Sequence, residues 1–172
     1  IKYHDTEWGV PVYDDQTIFE FLILETFQAG LSWITILRRR ENFRTAFDNF
    51  DFQEIANYSD EKLEDLRKDA GIIRNRLKIK AAKSNAIAFM EVQKEFGAFS
   101  KYFWDFVEGK PIQNNFKSMD EIPANTPLSD KISKDLKSRG FKFVGSTIVY
   151  AYLQAMGVVN DHTIDCFRHK EV

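Results

Sequence analysis

The residues with the clearest chemical potential lie near the end of the chain, in the segment NDHTIDC (160–166). His162 and Cys166, the only cysteine, are four residues apart, a spacing that places two side chains on one face of a helix. A lone cysteine has no partner for an intrachain disulfide, whereas imidazole and thiolate are ligands that zinc prefers. The pair is only half of a tetrahedral site, so the spacing alone leaves a zinc site and a metal-free role open.

Glu25 is the second candidate, because it lies inside the apolar stretch IFEFLILETFQAGLSW (18–33). Phe21 and Leu22 lie one helical turn before it and Ala29 one turn after it, which places the carboxylate on or beside an apolar stripe. Buried glutamates are rare unless they are paired. Two interpretations remain: a structural Glu bonded to an Arg or to backbone amides, or a carboxylate at the floor of an aromatic pocket.

Aromatic residues lie close in sequence to both candidates. Trp33 follows Glu25 across the AGLS turn, and Tyr3 and Trp8 flank His4. Aromatic residues are abundant in this chain, so each of these is compatible with a place in the core as well as with a pocket. Leu31, in the glycine turn, is in the same way compatible with an ordinary half-buried leucine.

A glycine-flanked hairpin is the third candidate, within LKSRGFKFVGSTIVYAYLQAMG (136–157). Gly140 can adopt the left-handed conformation that ends a helix, and Gly145 allows close approach to the backbone. The following helix begins with free N–H groups at Ser146 and Thr147, and a helix N-terminus after a glycine turn binds phosphate well.

Lys142 would add a positive charge to such a phosphate site. A P-loop is excluded, because its lysine is missing and a helix rather than a strand precedes the turn. An ordinary helix–turn–helix corner, with Phe141 and Phe143 in the core, remains the alternative.

The elements that must position these residues are helical almost throughout, with weak strand signals and no βα alternation. Apolar periodicity, capping residues and glycines define the expected helices. The predicted helices cover 15–29, 59–71, 74–96, 102–107, 126–139 and 146–156, and a further helix starts after Ser32. The longest loop is expected over 110–125.

The composition limits the classes of protein. The chain has 172 residues, a 44% hydrophobic content and a net charge of −2. No run of 18 apolar residues could span a membrane, and one cysteine excludes a disulfide scaffold and suits a reducing compartment. The slightly acidic balance argues against a non-specific nucleic-acid binder, so that any DNA contact must be local.

Taken together, five blocks resemble one family: YHDTEWGVP, QAGLSWITILRRRENFR, DAGIIRNRLKI, RGFKFVGSTIVYAYLQA and VNDH. They resemble the type I family of bacterial 3-methyladenine DNA glycosylases, in the same order and from Tyr3 to Cys166. The resemblance implies an all-α helix–hairpin–helix fold with two helical lobes and the base pocket between them. It implies a single domain over 1–172, with the helix–hairpin–helix at about 128–157.

The resemblance also implies a function. The chain would be a monofunctional glycosylase, a monomer in the bacterial cytoplasm, that flips out and hydrolytically excises 3-methyladenine from alkylated double-stranded DNA. Tyr3, Trp8 and Trp33 would form the base pocket with Glu25 as the recognising carboxylate, and Leu31 would fill the gap left by the flipped base. The hairpin residues Gly140, Lys142, Gly145, Ser146 and Thr147 would contact DNA.

The same resemblance implies a structural zinc ion that joins the two ends of the chain. Its ligands would include His4, His162 and Cys166. The family's further ligand, a Cys near the N-terminus, has no counterpart in a sequence that starts at Ile1, and we expect it on a segment before that residue. His169 is a spare ligand candidate that we expect on the surface.

Asp161 and Asp165 occupy the region in which most relatives on this fold place a catalytic Asp. Each lies beside a zinc ligand implied by the resemblance, so we interpret both as structural. The alternative function is a non-catalytic helix–hairpin–helix DNA-binding protein with a relic pocket. The joint presence of Glu25, Trp33 and Tyr3 favours the enzyme.

Overall fold

The computed structural model describes residues 1–172 and is helical, with one two-stranded pairing. Nine α-helices follow one another: α1 (Lys2–Thr6), α2 (Asp15–Gln28), α3 (Trp33–Ala46), α4 (Phe52–Ala56), α5 (Asp60–Arg67), α6 (Arg76–Phe96), α7 (Phe99–Asp105), α8 (Pro127–Ser138) and α9 (Ser146–Ala155). Two short strands, β1 (Ile112–Gln113) and β2 (Val159–Asn160), pair in parallel, and 3-10 turns cover Asp48–Phe50, Met119–Glu121 and Phe167–Lys170.

The helix starts follow the capping chemistry of the sequence. Ser59 accepts a hydrogen bond from the backbone of Lys62 at the start of α5. At the start of α8, the side chains and backbones of Thr126 and Ser129 form a reciprocal capping box, with Pro127 in the first turn. Gly97, in the left-handed conformation, ends α6.

Helix α2 is the central element of the core, and it is buried on nearly every side. It packs against α3, α6, α7 and α9, and every residue from Phe21 to Phe27 is buried. Large aromatic rings fill the space around it; Phe89, for example, packs against Phe19 and stacks on Phe99 with ring centroids 4.2 Å apart. The site residues on α2 are therefore held by a rigid helix.

In the sequence prediction, two helices were missed, one start was misplaced, and one end was placed too late, since α5 ends at Arg67 rather than at residue 71. Helices α1 and α4 have only five residues each, and such short helices depend on tertiary packing rather than on their own propensity. Helix α7 begins at Phe99, before the predicted residue 102, because Asp15 of α2 caps it from a distance: its carboxylate accepts the N–H groups of Phe99 and Ser100 at 2.9 and 2.8 Å.

The C-terminal segment after β2 is not helical, contrary to the prediction that His162 and Cys166 share a helical face. The chain instead runs through an irregular segment and a turn into the last 3-10 helix. Parallel pairing of β2 with β1 fixes where this segment starts.

None of the helices combines the length and the apolar character needed to cross a lipid bilayer.

Candidate active site

A cavity of about 210 Å³ lies where α1, α2 and α3 meet α9. All four residues predicted for the base pocket line it. Three further lining residues, Gln28, Ala151 and Gln154, were not predicted. Gln28 is one helical turn after Glu25, a spacing that could have indicated it, whereas the approach of α9 to α2 has no local signal in the sequence.

Glu25 is buried in this cavity without a partner. Its side chain is 3% exposed, and it forms neither a hydrogen bond nor an ion pair with the protein. Burial raises the pKa of the Glu25 carboxyl to about 8. The structural interpretation, a Glu bonded to an Arg or to backbone amides, is therefore not supported, and the carboxyl group is available to a ligand.

Tyr3 contributes a second unpaired polar group to the cavity. Its hydroxyl is buried and has no hydrogen-bond partner, and burial together with the nearby Glu25 charge raises its pKa above the usual value. The Tyr3 ring lies 6.2 Å from Phe21 and 5.8 Å from Trp33, measured between ring centroids. The cavity thus combines aromatic faces with two polar groups, the Glu25 carboxyl and the Tyr3 hydroxyl, that have no hydrogen-bond partner in the protein.

The turn that carries Leu31 is braced from the inside. Leu31 itself is 38% exposed, and the side-chain amide of Gln28 donates to its carbonyl oxygen at 2.6 Å. Lys78, a buried lysine on α6, donates from Nζ to the carbonyl oxygens of Phe27 at 2.9 Å and Ala29 at 2.6 Å. A cation at the C-terminal end of a helix also interacts favourably with the helix dipole. Leu31 is presented on a supported turn beside the cavity.

The predicted hairpin lies between α8 and α9. Gly140 has a φ of +92°, the left-handed conformation expected of it. The backbone N–H groups of Gly145, Ser146 and Thr147 have no partner in the protein. The hydroxyl of Ser146 is engaged by Asp130 at 2.5 Å, so this residue offers its N–H group rather than its side chain to an anion.

Neighbouring helices hold the hairpin backbone. Asn85 of α6 accepts from the N–H of Lys142 at 2.8 Å and donates to its carbonyl oxygen at 3.1 Å. Ser133 of α8 donates to the carbonyl oxygen of Val144 at 2.6 Å. Phe141 is buried, as the corner interpretation required, but Phe143 is only half-buried. The hairpin is therefore a rigid corner between two helices, and it also presents the unpaired N–H groups of residues 145–147.

His4, His162 and Cys166 come together although they do not share a helix. Their potential ligand atoms all lie within 4.8 Å of one another. Cys166 Sγ is 3.6 Å from His162 Nδ1 and 3.8 Å from His4 Nε2. Tetrahedral zinc with ordinary bond lengths separates sulfur and nitrogen ligands by about 3.6 Å, so the cluster has the size of a zinc site.

The remaining ring nitrogens of both histidines are oriented as in metal sites. His4 Nδ1 lies 2.9 Å from the Asp5 carboxylate, and His162 Nε2 lies 3.0 Å from the carbonyl oxygen of Trp8. Such outer partners fix the tautomer that presents the other nitrogen to a metal. His169 is not part of this cluster; contrary to expectation it is buried, with Nε2 2.9 Å from the carbonyl oxygen of Asn114.

The two aspartates near the cluster have different environments. Asp161 is 1% exposed and its carboxylate accepts hydrogen bonds from Asn114, Tyr150 and Gln154. Asp165 is exposed. Neither lines the cavity, so no aspartate faces the space next to Glu25.

Comparison with known proteins places this geometry in a family. The family model for methyladenine glycosylase matches residues 1–169. DNA-3-methyladenine glycosylase 1 of Escherichia coli (strain K12) is 48% identical over 166 residues, which cover 96% of this chain and 89% of that protein. A crystal structure of 3-methyladenine DNA glycosylase I matches with a TM-score of 0.93 at 50% identity and covers 96% of this chain and 91% of that one.

A further solved relative is the 3-methyladenine DNA glycosylase I of Staphylococcus aureus, whose structure addresses the recognition of 3-methyladenine. It is 34% identical, has a TM-score of 0.94, and the match covers 96% of this chain and 88% of that one. Sequence, fold and nearly the full length of the chain agree, and the chain belongs to the methyladenine glycosylase family.

Proposed function

We propose that this chain excises 3-methyladenine from double-stranded DNA by hydrolysing the N-glycosidic bond, as a monomer in the bacterial cytoplasm. Family membership supports the reaction. The observation that carries the assignment of the site is the buried, unpaired Glu25 in an aromatic cavity. Leaving a buried carboxyl group without a partner lowers stability, so its place is best explained by a ligand that completes its hydrogen bonds.

The chemistry of the lesion matches this cavity. The target base lies inside the duplex, so the nucleotide must be flipped out to reach an enclosed site. Methylation at N3 gives adenine a positive charge, which aromatic faces such as that of Trp33 attract. Glu25 accepts hydrogen bonds from the base and balances its charge. Because burial raises the Glu25 pKa to about 8, binding of a cation favours the carboxylate and releases a proton.

Little further catalysis is required of the protein. A cationic base is already a good leaving group, and it departs as a neutral molecule without being protonated. No lysine lines the cavity, so an amine nucleophile that would join the sugar covalently is missing there. Water is the acceptor of the sugar, which makes the enzyme monofunctional.

DNA contact would be divided between two supported loops. The unpaired N–H groups of Gly145, Ser146 and Thr147 suit a phosphate of the backbone, and exposed Lys142 adds a charge. Leu31, on the braced turn beside the cavity, suits the role of an apolar wedge in the space that the flipped nucleotide leaves. Gly140 supports the hairpin by ending α8.

A structural zinc ion fits the third cluster. His4, His162 and Cys166 would supply three ligands, and their spacing and outer partners support this. The ion would join α1, which carries Tyr3, to the C-terminal segment. Its role would be to hold the wall of the cavity rather than to take part in the reaction.

The proposed activity is tested by measuring the release of free 3-methyladenine from methylated duplex DNA. We expect release with multiple turnovers, and no covalent enzyme–DNA complex after borohydride treatment. A protein that binds DNA but releases no base would instead be the non-catalytic DNA-binding protein. Trapping by borohydride would contradict the monofunctional assignment.

A further inference from the structure

Gln154 of α9 is a polar residue on the cavity wall that the mechanism above does not use. It lines the same cavity as Glu25. Its side-chain nitrogen Nε2 donates to Oδ2 of Asp161 at 2.9 Å, and Oε1 has no hydrogen-bond partner in the protein. The Gln154 amide therefore has one end anchored and one end unassigned.

Asp161 is held in place from several sides. The carboxylate is 1% exposed, and it accepts hydrogen bonds from Asn114 Nδ2 at 2.6 Å and from the Tyr150 hydroxyl. A carboxylate can only accept hydrogen bonds, so the amide of Gln154 must turn its NH₂ group towards Asp161. This fixes Oε1 as the end of the Gln154 side chain that is free to accept a hydrogen bond.

We propose that Gln154 is a specificity-determining residue for the base, with Asp161 as the positioning residue that orients its amide. Oε1 of Gln154 accepts a hydrogen bond from the exocyclic amino group of adenine. Guanine carries a carbonyl oxygen at the corresponding position, and two facing acceptors repel each other. The inference rests on the proposed function, since it concerns which methylated purine this cavity excises.

The discriminating quantity is the ratio of kcat/KM for 3-methyladenine to that for 3-methylguanine, both released from the same methylated duplex DNA. Gln154→Met retains the length of the side chain and removes the acceptor. We expect roughly a 10- to 100-fold loss for 3-methyladenine, the effect of one hydrogen bond to a charged group. Release of 3-methylguanine should rise, because the substitution removes the acceptor that repels its carbonyl oxygen, so the ratio should fall.

Asp161→Asn tests the positioning role, because an Asn side chain can face either end of the Gln154 amide. We expect a smaller fall in the ratio than for Gln154→Met, and no additional fall when both substitutions are combined. Melting temperatures of all variants identify any loss of folded protein, which lowers both rates together and leaves the ratio unchanged.

The outcomes separate this inference from the proposed function. Wild-type protein that releases no 3-methyladenine contradicts the function itself. Active wild-type protein whose selectivity ratio survives Gln154→Met overturns the role of Gln154. A ratio that falls further in the double variant than in Gln154→Met overturns the claim that Asp161 acts through Gln154.

Discussion

Tyr3 and Glu25 line the same cavity, and neither the phenol nor the carboxyl group forms a hydrogen bond with the protein. They come from α1 and α2, which are separate elements of the fold. Two unpaired polar groups at one place lower the stability of the ligand-free protein. Under the proposed function, the same two groups would already be oriented before a base arrives, as in a binding site whose polar groups are preorganised.

Stability should depend on pH through Glu25. In the folded chain its pKa is about 8, whereas the ordinary value is 4.5. Between these two values the unfolded chain has lost the proton and the folded chain still holds it, so the free energy of unfolding falls as the pH rises. Above about pH 8 this contribution stays constant. We expect the wild-type melting temperature to fall across this interval relative to that of Glu25→Gln, which cannot titrate.

Denaturation of both proteins at pH 5 and pH 8 measures this effect. Other groups titrate equally in the two proteins, so the difference between them isolates Glu25. Between pH 5 and pH 8, the free energy of unfolding of Glu25→Gln should rise relative to that of the wild type, by a few kcal/mol at most. A constant difference across the interval would show that Glu25 has an ordinary pKa in the folded chain.

Zinc should be bound at about one ion per chain in protein that carries the complete ligand set and is purified without chelator. Chelation should lower its melting temperature, because binding energy at a structural site is folding energy. Cys166→Ala removes one ligand and serves as the matched control. It should melt at a lower temperature, and chelator should not lower this further. Elemental analysis that finds no zinc in the wild type would exclude the site.

The two glycines of the hairpin should respond differently to alanine. A Cβ at Gly145 would meet no protein atom within 4 Å, and the residue has a negative φ. Gly145→Ala should therefore keep the melting temperature but weaken binding to duplexes of every sequence alike, since phosphate contacts carry no sequence information.

Gly140→Ala places a side chain at a φ of +92° and should destabilise the fold by about 1–2 kcal/mol. Denaturation and DNA titration of both variants decide the assignment. Full DNA affinity in Gly145→Ala would contradict the assignment of the hairpin as a DNA contact. Binding of free 3-methyladenine should survive in both variants.

Local signals in the sequence predicted the helices and the residues that approach each other along one helix or turn. Ser59, Thr126 and Gly97 marked ends that the structure confirms. Glu25 was conspicuous because a charge interrupts an apolar stripe. These features depend on neighbours in sequence, which a single sequence displays.

Contacts between distant segments could not be predicted in this way. In the sequence, Lys78 is one of several basic residues of α6. In the structure it is buried and donates hydrogen bonds to carbonyl oxygens at the C-terminal end of α2. Gln154 reads as an ordinary helix residue, and only the fold places it beside Glu25. The spacing of His162 and Cys166 suggested a helix that does not form, because the segment after β2 is held by distant residues, as in the hydrogen bond from the Ile164 N–H to the carbonyl oxygen of Phe116.

The role of Glu25 is tested most directly by measuring 3-methyladenine release and melting temperature on the same preparation of Glu25→Gln. Gln keeps the size of the side chain and one acceptor oxygen but removes the charge. Replacing the charged acceptor by a neutral one should cost at most about what a hydrogen bond to a charged group is worth, a reduction of kcat/KM by roughly 10- to 100-fold. This is far less than the loss of a nucleophile, and the protein should remain folded. Unchanged excision per folded molecule, together with a lowered melting temperature at neutral pH, would contradict the assignment of Glu25 to the site.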